Sequence, residues 1–121
     1  MKEKYENFCK ALDRLKEALT VEPTGLNLDA AIQRFEFTYE LSWNLLKKHL
    51  YQEGIECHTP RECFSRAFQN GIIEDEELWL KMIGDRNLSS HLYDEEEAKR
   101  IYQQIKTKYF ALFEKLKKKM V

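Results

Sequence analysis

Apolar residues recur along this chain at spacings of three and four. Tyr5, Phe8, Leu12, Leu15 and Leu19 form one stripe, with lysines and glutamates on the other faces. That period predicts an amphipathic helix from Lys2 to Leu19. Pro23 and Gly25 mark a loop over Val21–Asn27. A second helix is expected from about Leu28 to Gln52, with Asn27 as its cap and Gly54 as its stop. Its apolar residues, from Ala31 and Ile32 through Phe35, Tyr39, Leu41, Trp43, Leu45 and Leu46 to Leu50, cover more than one stripe. A helix apolar on several sides meets several neighbours or a second subunit. Glu36, Glu40 and Ser42 interrupt that face. They are read as exposed, with the alternative that Glu36 or Glu40 orients a cation.

Thr59, Pro60 and Glu62 form a helix-start signature for a short helix burying Phe64, Ala67 and Phe68, which Asn70-Gly71 stops. Another short helix is expected over Asp75–Ile83, with Leu78, Trp79 and Met82 inward and Gly84 as its C-terminal cap. The last helix should run from about Glu95 to Lys118, with Ala98, Tyr102, Ile105, Tyr109, Leu112 and Leu116 in a four–three rhythm. Acids open it and lysines close it, which suits the helix dipole. No strand run and no repeat appears. Three long and two short helices fold most simply as an all-α, antiparallel up-and-down bundle, one domain over residues 1–121.

Composition narrows the picture. The 121 residues carry a formal net charge of −1, so any contact with nucleic acid must be local rather than a general basic surface. No apolar run is long enough to span a membrane. Three cysteines, Cys9, Cys57 and Cys63, lack a disulfide rhythm and read as free thiols of a reducing cytoplasm. Cys57-His58 with Cys63 is a weak zinc pattern, and partly buried thiols explain it better. His49, near the end of the second helix, reads as a surface or capping residue. The lysine tail Lys115–Lys119 reads as a frayed terminus. No glycine-rich phosphate loop and no His-Glu-x-x-His pair is present.

One stretch does not read as helix. Arg86-Asn87-Leu88-Ser89-Ser90-His91-Leu92-Tyr93 gathers a cation, an amide, two hydroxyls, an imidazole and a phenol. An arginine holds phosphate with a fork of donors, a histidine moves protons near neutral pH, and a tyrosine hydroxyl can act as nucleophile or modification acceptor. On one unbroken helix Arg86 and His91 would stand roughly 140° apart. Ser89 and Ser90 favour turns, and Asp94 with Glu97 is a helix-start signature. Asp85–Tyr93 is therefore expected to be a helix end, a bend and the entry to the next helix, letting Arg86 and His91 face one target.

Arg86, His91 and Tyr93 fit an Arg-x4-His-x-Tyr pattern that resembles a branch of the HEPN superfamily. The flanking blocks Phe35–Trp43, Thr59-Pro60-Arg61, Gly71–Ile73, Trp79 and Arg86–Glu96 resemble the nucleotidyltransferase substrate-binding family, over about residues 1–118. The resemblance implies a HEPN-like four-helix-bundle fold and a two-component system with a minimal nucleotidyltransferase. It further implies a metal-independent endoribonuclease toxin that works as a homodimer, silenced when the partner attaches AMP to Tyr93.

Physical chemistry fits those roles. RNA carries its own nucleophile, and cleavage needs a base, an acid and a cation on the phosphorane. His91 supplies a proton-transfer role, Arg86 stabilises the phosphorane, and Asn87 orients a phosphate oxygen or the histidine. Ser89 and Ser90 join Arg86 as substrate-binding candidates. One histidine serves poorly as both acid and base, so two motifs near a two-fold interface are expected. No metal or cofactor is called for. Two readings compete: a non-catalytic subunit holding nucleotide or substrate for a partner enzyme, and a purely structural role in which Arg86 pairs with Asp85 or Asp94, His91 caps a helix and Tyr93 packs in the bundle.

Overall fold

The computed structural model describes all residues of the chain except Tyr93. The described residues form helices joined by short turns, with no strand among them. In order these are α1 (Lys2–Leu19), α2 (Gly25–Gln52), α3 (Pro60–Gln69), α4 (Glu76–Ser89), α5 (Glu95–Gln104), a π-helical turn (Ile105–Tyr109) and α6 (Phe110–Met120). The all-helical bundle expected from the periodicity is the fold observed.

α1 has the expected bounds and packs along α2, the long central helix, which also contacts α3, α4 and α5. This explains why α2 is apolar on more than one side. α3 begins as its sequence demands: Thr59 accepts from the Glu62 backbone N–H at 3.1 Å, with Pro60 in the first turn. The apolar stripes meet in one aromatic core. Trp79 of α4 packs on Phe64 of α3 (ring centroids 4.8 Å) and edge-on against Phe113 of α6 (5.8 Å). Phe35 of α2 stacks on Tyr109 at 5.7 Å, and Phe8 of α1 meets Phe113 at 6.1 Å. These rings tie all the helices but α5 to a common centre, and α5 enters through buried Ala98, Ile101 and Tyr102.

Several expectations are corrected. α2 begins at Gly25 with Thr24 as cap, and Asn27 lies inside its first turn with Nδ2 donating to Glu22 O at 2.6 Å. Phe68 is 45% exposed, because the short α3 turns that edge outward. Gly84 does not end α4, which continues to Ser89; a helix tolerates one glycine at modest cost. The last helix is interrupted at Ile105–Tyr109, where one turn is π-helical. Cys57 and Cys63 are joined as a disulfide rather than standing as free thiols. Cys57 lies three residues before α3 and Cys63 lies in its first turn, with their Cα atoms 5.2 Å apart. With both thiols so engaged, the zinc pattern has no ligands left in Cys57 and Cys63. Among the described residues no helix is long and apolar enough to cross a membrane.

Candidate functional site

The last turn of α4 sets the geometry. Residues three and four apart share a helix face, so Arg86, Ser89 and Ser90 lie together over the middle of α2. Arg86 Nη1 donates to Ser90 Oγ at 3.0 Å and to Glu36 Oε2 at 3.2 Å. Arg86 Nε is buried, 3.6 Å from Glu40 Oε1, too far for a hydrogen bond. Ser89 Oγ lies 2.7 Å from the Arg86 carbonyl and also hydrogen-bonds Glu36 Oε2. A serine has one proton, so these two acceptors share it in turn. Arg86 and Glu36 side chains are each 23% exposed, enough to reach a ligand while held.

Glu36 and Glu40 are thus drawn to Arg86, which corrects the reading of both as simply exposed. Ser42, also read as exposed, is buried and donates to Tyr39 O at 2.7 Å. Trp43 Nε1 donates to Glu40 Oε2 at 2.9 Å and fixes that carboxylate. Beside them, burial pushes the Tyr39 hydroxyl up to about 12; the negative Glu40 adds to the effect and Arg86 opposes it.

Asn87 is exposed, one helical step round from Arg86. Ser90 closes α4, and the His91 N–H donates to Leu88 O at 2.9 Å as the chain turns. His91 is exposed at that turn. The bend therefore falls after Ser89, later than the sequence suggested, so Arg86 is helical and His91 lies beyond the helix. Tyr93 falls outside the described residues. Asp94 caps α5 by accepting from the Glu96 N–H at 2.9 Å, while Glu97 is used elsewhere.

Asp85 has different partners from Arg86. It is 5% exposed and receives the Tyr109 hydroxyl and Arg100 Nη2, the latter at 2.9 Å. Arg100 also donates to Glu97 at 2.7 Å. Burial first, then the bond to Asp85, pushes the Tyr109 hydroxyl far above its usual value. The Arg100 guanidinium is raised by its bonds to Glu97 and then Asp85. This cluster locks α4 to α5 and to the π-helical turn on either side of the motif. It also replaces the pairing of Arg86 with Asp85 that a purely structural role would use. Glu97 and Arg100 are legible as a three-apart pair on one helix. Nothing local marks Asp85 and Tyr109 as partners.

An open groove of about 720 Å³ runs between the first turns of α2 and the bend. Asp29, Gln33 and Glu36 line it from α2, and Ser89, Leu92 and Asp94 from the opposite side. A groove of this size admits a nucleotide. Its walls are acidic; Arg86 is not among the lining residues but is bonded to Glu36, which is.

The fold and the motif define a small all-helical domain built around an arginine-to-histidine bend. The family described as nucleotidyltransferase substrate binding protein like matches residues 3–121, and the chain belongs to it. A curated relative, the probable ribonuclease HepT of Haemophilus influenzae, is 38% identical over 80 residues. That match covers 62% of this chain and 55% of the relative, so it spans only about half of that protein. A crystal structure of a Thermus thermophilus protein superposes with a TM-score of 0.85 at 36% identity, covering 90% of this chain and 94% of the other. A Haemophilus influenzae structure described as revealing the fold of a substrate binding domain of a nucleotidyltransferase has a TM-score of 0.84 at 26% identity. It covers 96% of this chain and 98% of its own.

Proposed function

We propose that this protein is the HEPN-type subunit of a two-component system with a minimal nucleotidyltransferase, and that it cleaves RNA without a metal ion. The observation that carries the reading is the placement of Arg86. It is bonded to Glu36, which lines a nucleotide-sized groove, and it lies five residues before an exposed histidine. Arg86 binds the scissile phosphate and stabilises the phosphorane, with Ser89 and Ser90 as further phosphate donors. His91 transfers a proton, and Asn87 orients a phosphate oxygen. The kinship with a probable ribonuclease supports the same chemistry.

Tyr93 is the acceptor for AMP from the partner. A nucleotide attached two residues from His91 adds bulk and negative charge where RNA must bind, so it silences the site. The active form is a homodimer in the cytoplasm. Phe37 on α2 and Leu88 on α4 are exposed apolar side chains close in sequence to Glu36 and Arg86, and they supply surface for pairing near the motif.

The test is RNA cleavage by the purified protein with a chelator present, beside His91→Ala, with Tyr93 shown by mass to be unmodified. Cleavage by the parent alone is the expected result. Inactivity of the folded parent would favour the second reading, a non-catalytic subunit that holds nucleotide or substrate for its partner. The acidic lining from Asp29, Glu36 and Asp94 repels RNA and nucleotide phosphates alike, so either ligand requires Arg86 to be released to it.

A further inference from the structure

We propose that Glu36 is the general base of the cleavage reaction, with a motif histidine, His91, as the acid. The assignment rests on the ribonuclease reading above. It addresses a chemical gap in that reading: transesterification needs two proton transfers, and the motif offers one histidine. Glu36 meets the requirements for the second. It lines the groove together with Ser89 and Leu92 of the motif segment. It is paired with the very arginine that would hold the phosphate, at 3.2 Å. Ser89 Oγ bonds the same oxygen, Oε2, and fixes the direction in which the carboxylate faces.

Glu40 is the weaker candidate: it is not among the residues lining the groove, and its Oε1 lies 3.6 Å from Arg86 Nε, beyond hydrogen-bond reach. Asp29, Asp94 and Glu95 also line the groove, but among the described residues none of them is paired with the motif arginine; Glu95 pairs instead with Lys99 at 3.8 Å.

The reaction balances without any further reactant. A phosphodiester entering the groove draws Arg86 from Glu36 onto its non-bridging oxygens. The freed carboxylate removes the proton from the ribose 2′-hydroxyl, and the 2′-oxygen attacks phosphorus. His91, as imidazolium, gives its proton to the departing 5′-oxygen. The P–O5′ bond breaks as the P–O2′ bond forms. The products are a 2′,3′-cyclic phosphate and a 5′-hydroxyl, with Glu36 left protonated and His91 neutral. Solvent exchange then restores both.

Two substrates separate the roles. RNA needs both acid and base. A uridine 3′-phosphate ester of p-nitrophenol has a leaving group that departs without a proton. Glu36→Gln keeps an acceptor for Arg86 but cannot take a proton. It should lower kcat/KM about 10²-fold or more on both substrates, and the acidic limb of the pH–rate profile should disappear. Glu36→Asp should recover part of the rate. His91→Ala should be as defective on RNA yet regain most of its rate on the nitrophenyl ester. Circular dichroism checks that each variant is folded. Glu36→Gln cleaving RNA within about threefold of the parent, while His91→Ala is inert, overturns the base assignment and leaves the ribonuclease reading intact. A folded, unmodified parent that cleaves neither substrate overturns both.

Discussion

Arg86 and Glu36 lie fifty residues apart in the chain, yet Nη1 of one and Oε2 of the other are 3.2 Å apart. The site's cation is thus neutralised from within before any substrate arrives. An incoming phosphate must displace a carboxylate. Glu36→Ala should therefore bind an uncleavable 2′-deoxy oligonucleotide about two- to fivefold more tightly, the scale of a partly exposed ion pair. Arg86→Ala should weaken binding and lower the salt dependence by about one phosphate contact. Fluorescence anisotropy across a salt series measures both, and unchanged affinity in Glu36→Ala would show that the pair does not compete with phosphate.

His91 is exposed at the turn after α4 and contributes little to packing. His91→Ala should shift unfolding by no more than about 0.5 kcal/mol, while RNA cleavage falls about 10²- to 10⁴-fold. Urea denaturation beside the cleavage assay separates the two effects. A comparable loss of stability would make the histidine structural.

Asp85 is the opposite case. Asp85→Ala leaves the Tyr109 hydroxyl buried without its acceptor and costs about 1–3 kcal/mol. Tyr109→Phe should cost about as much, since it removes a hydrogen bond to a charged group. The double variant should cost less than the sum of the two, because the residues share one interaction. Urea midpoints at constant slope give these values.

Alkaline titration gives a further check. Tyr39 is pushed up to about 12 and Tyr109 is raised further. In the unfolded chain both ionise near the ordinary value of about 10. The folded state therefore holds their protons longer, so their contribution to stability is full below about pH 10 and is lost as pH rises through the folded values. Tyrosinate absorbance should show Tyr39 and Tyr109 titrating late, and only with unfolding; burial also raises Tyr5 above the ordinary value. Simple titration of all six near pH 10 would contradict the buried environment.

Tyr93 is tested through mass. Incubation with a nucleotidyltransferase partner and ATP should add adenylate to the parent and not to Tyr93→Phe, and the modified parent should stop cleaving RNA. Labelling that persists in Tyr93→Phe would move the acceptor elsewhere.

Local signals carry much of this fold. The bounds of α1, the Thr59–Pro60–Glu62 start of α3 and the inward stripe of the last helix are all written in spacing and capping chemistry. The errors come where two local signals compete or where a partner lies far away in sequence. Gly84 resembles a helix stop, but packing of Met82 and Asp85 on either side of it carries α4 onward. Glu36 and Glu40 look like solvent-facing acids because Arg86, the residue that draws them in, is some fifty positions away. The motif names Arg86, Ser89 and His91 as candidates, but the groove and the pairing of Glu36 with Arg86 need three dimensions.

The π-helical turn at Ile105–Tyr109 has a consequence for how the chain ends meet. One additional residue in a turn offsets the helix phase by about 100°. The helix before it addresses α2, and the helix after it addresses α1, where the Tyr5 hydroxyl donates to Lys117 O at 3.1 Å. The same run of apolar residues thus serves two different neighbours. Removing one of Lys106, Thr107 or Lys108 would straighten the helix and swing Leu112, Phe113 and Leu116 away from α1. The seam between the first and last helices would open, although no residue of that seam had been changed.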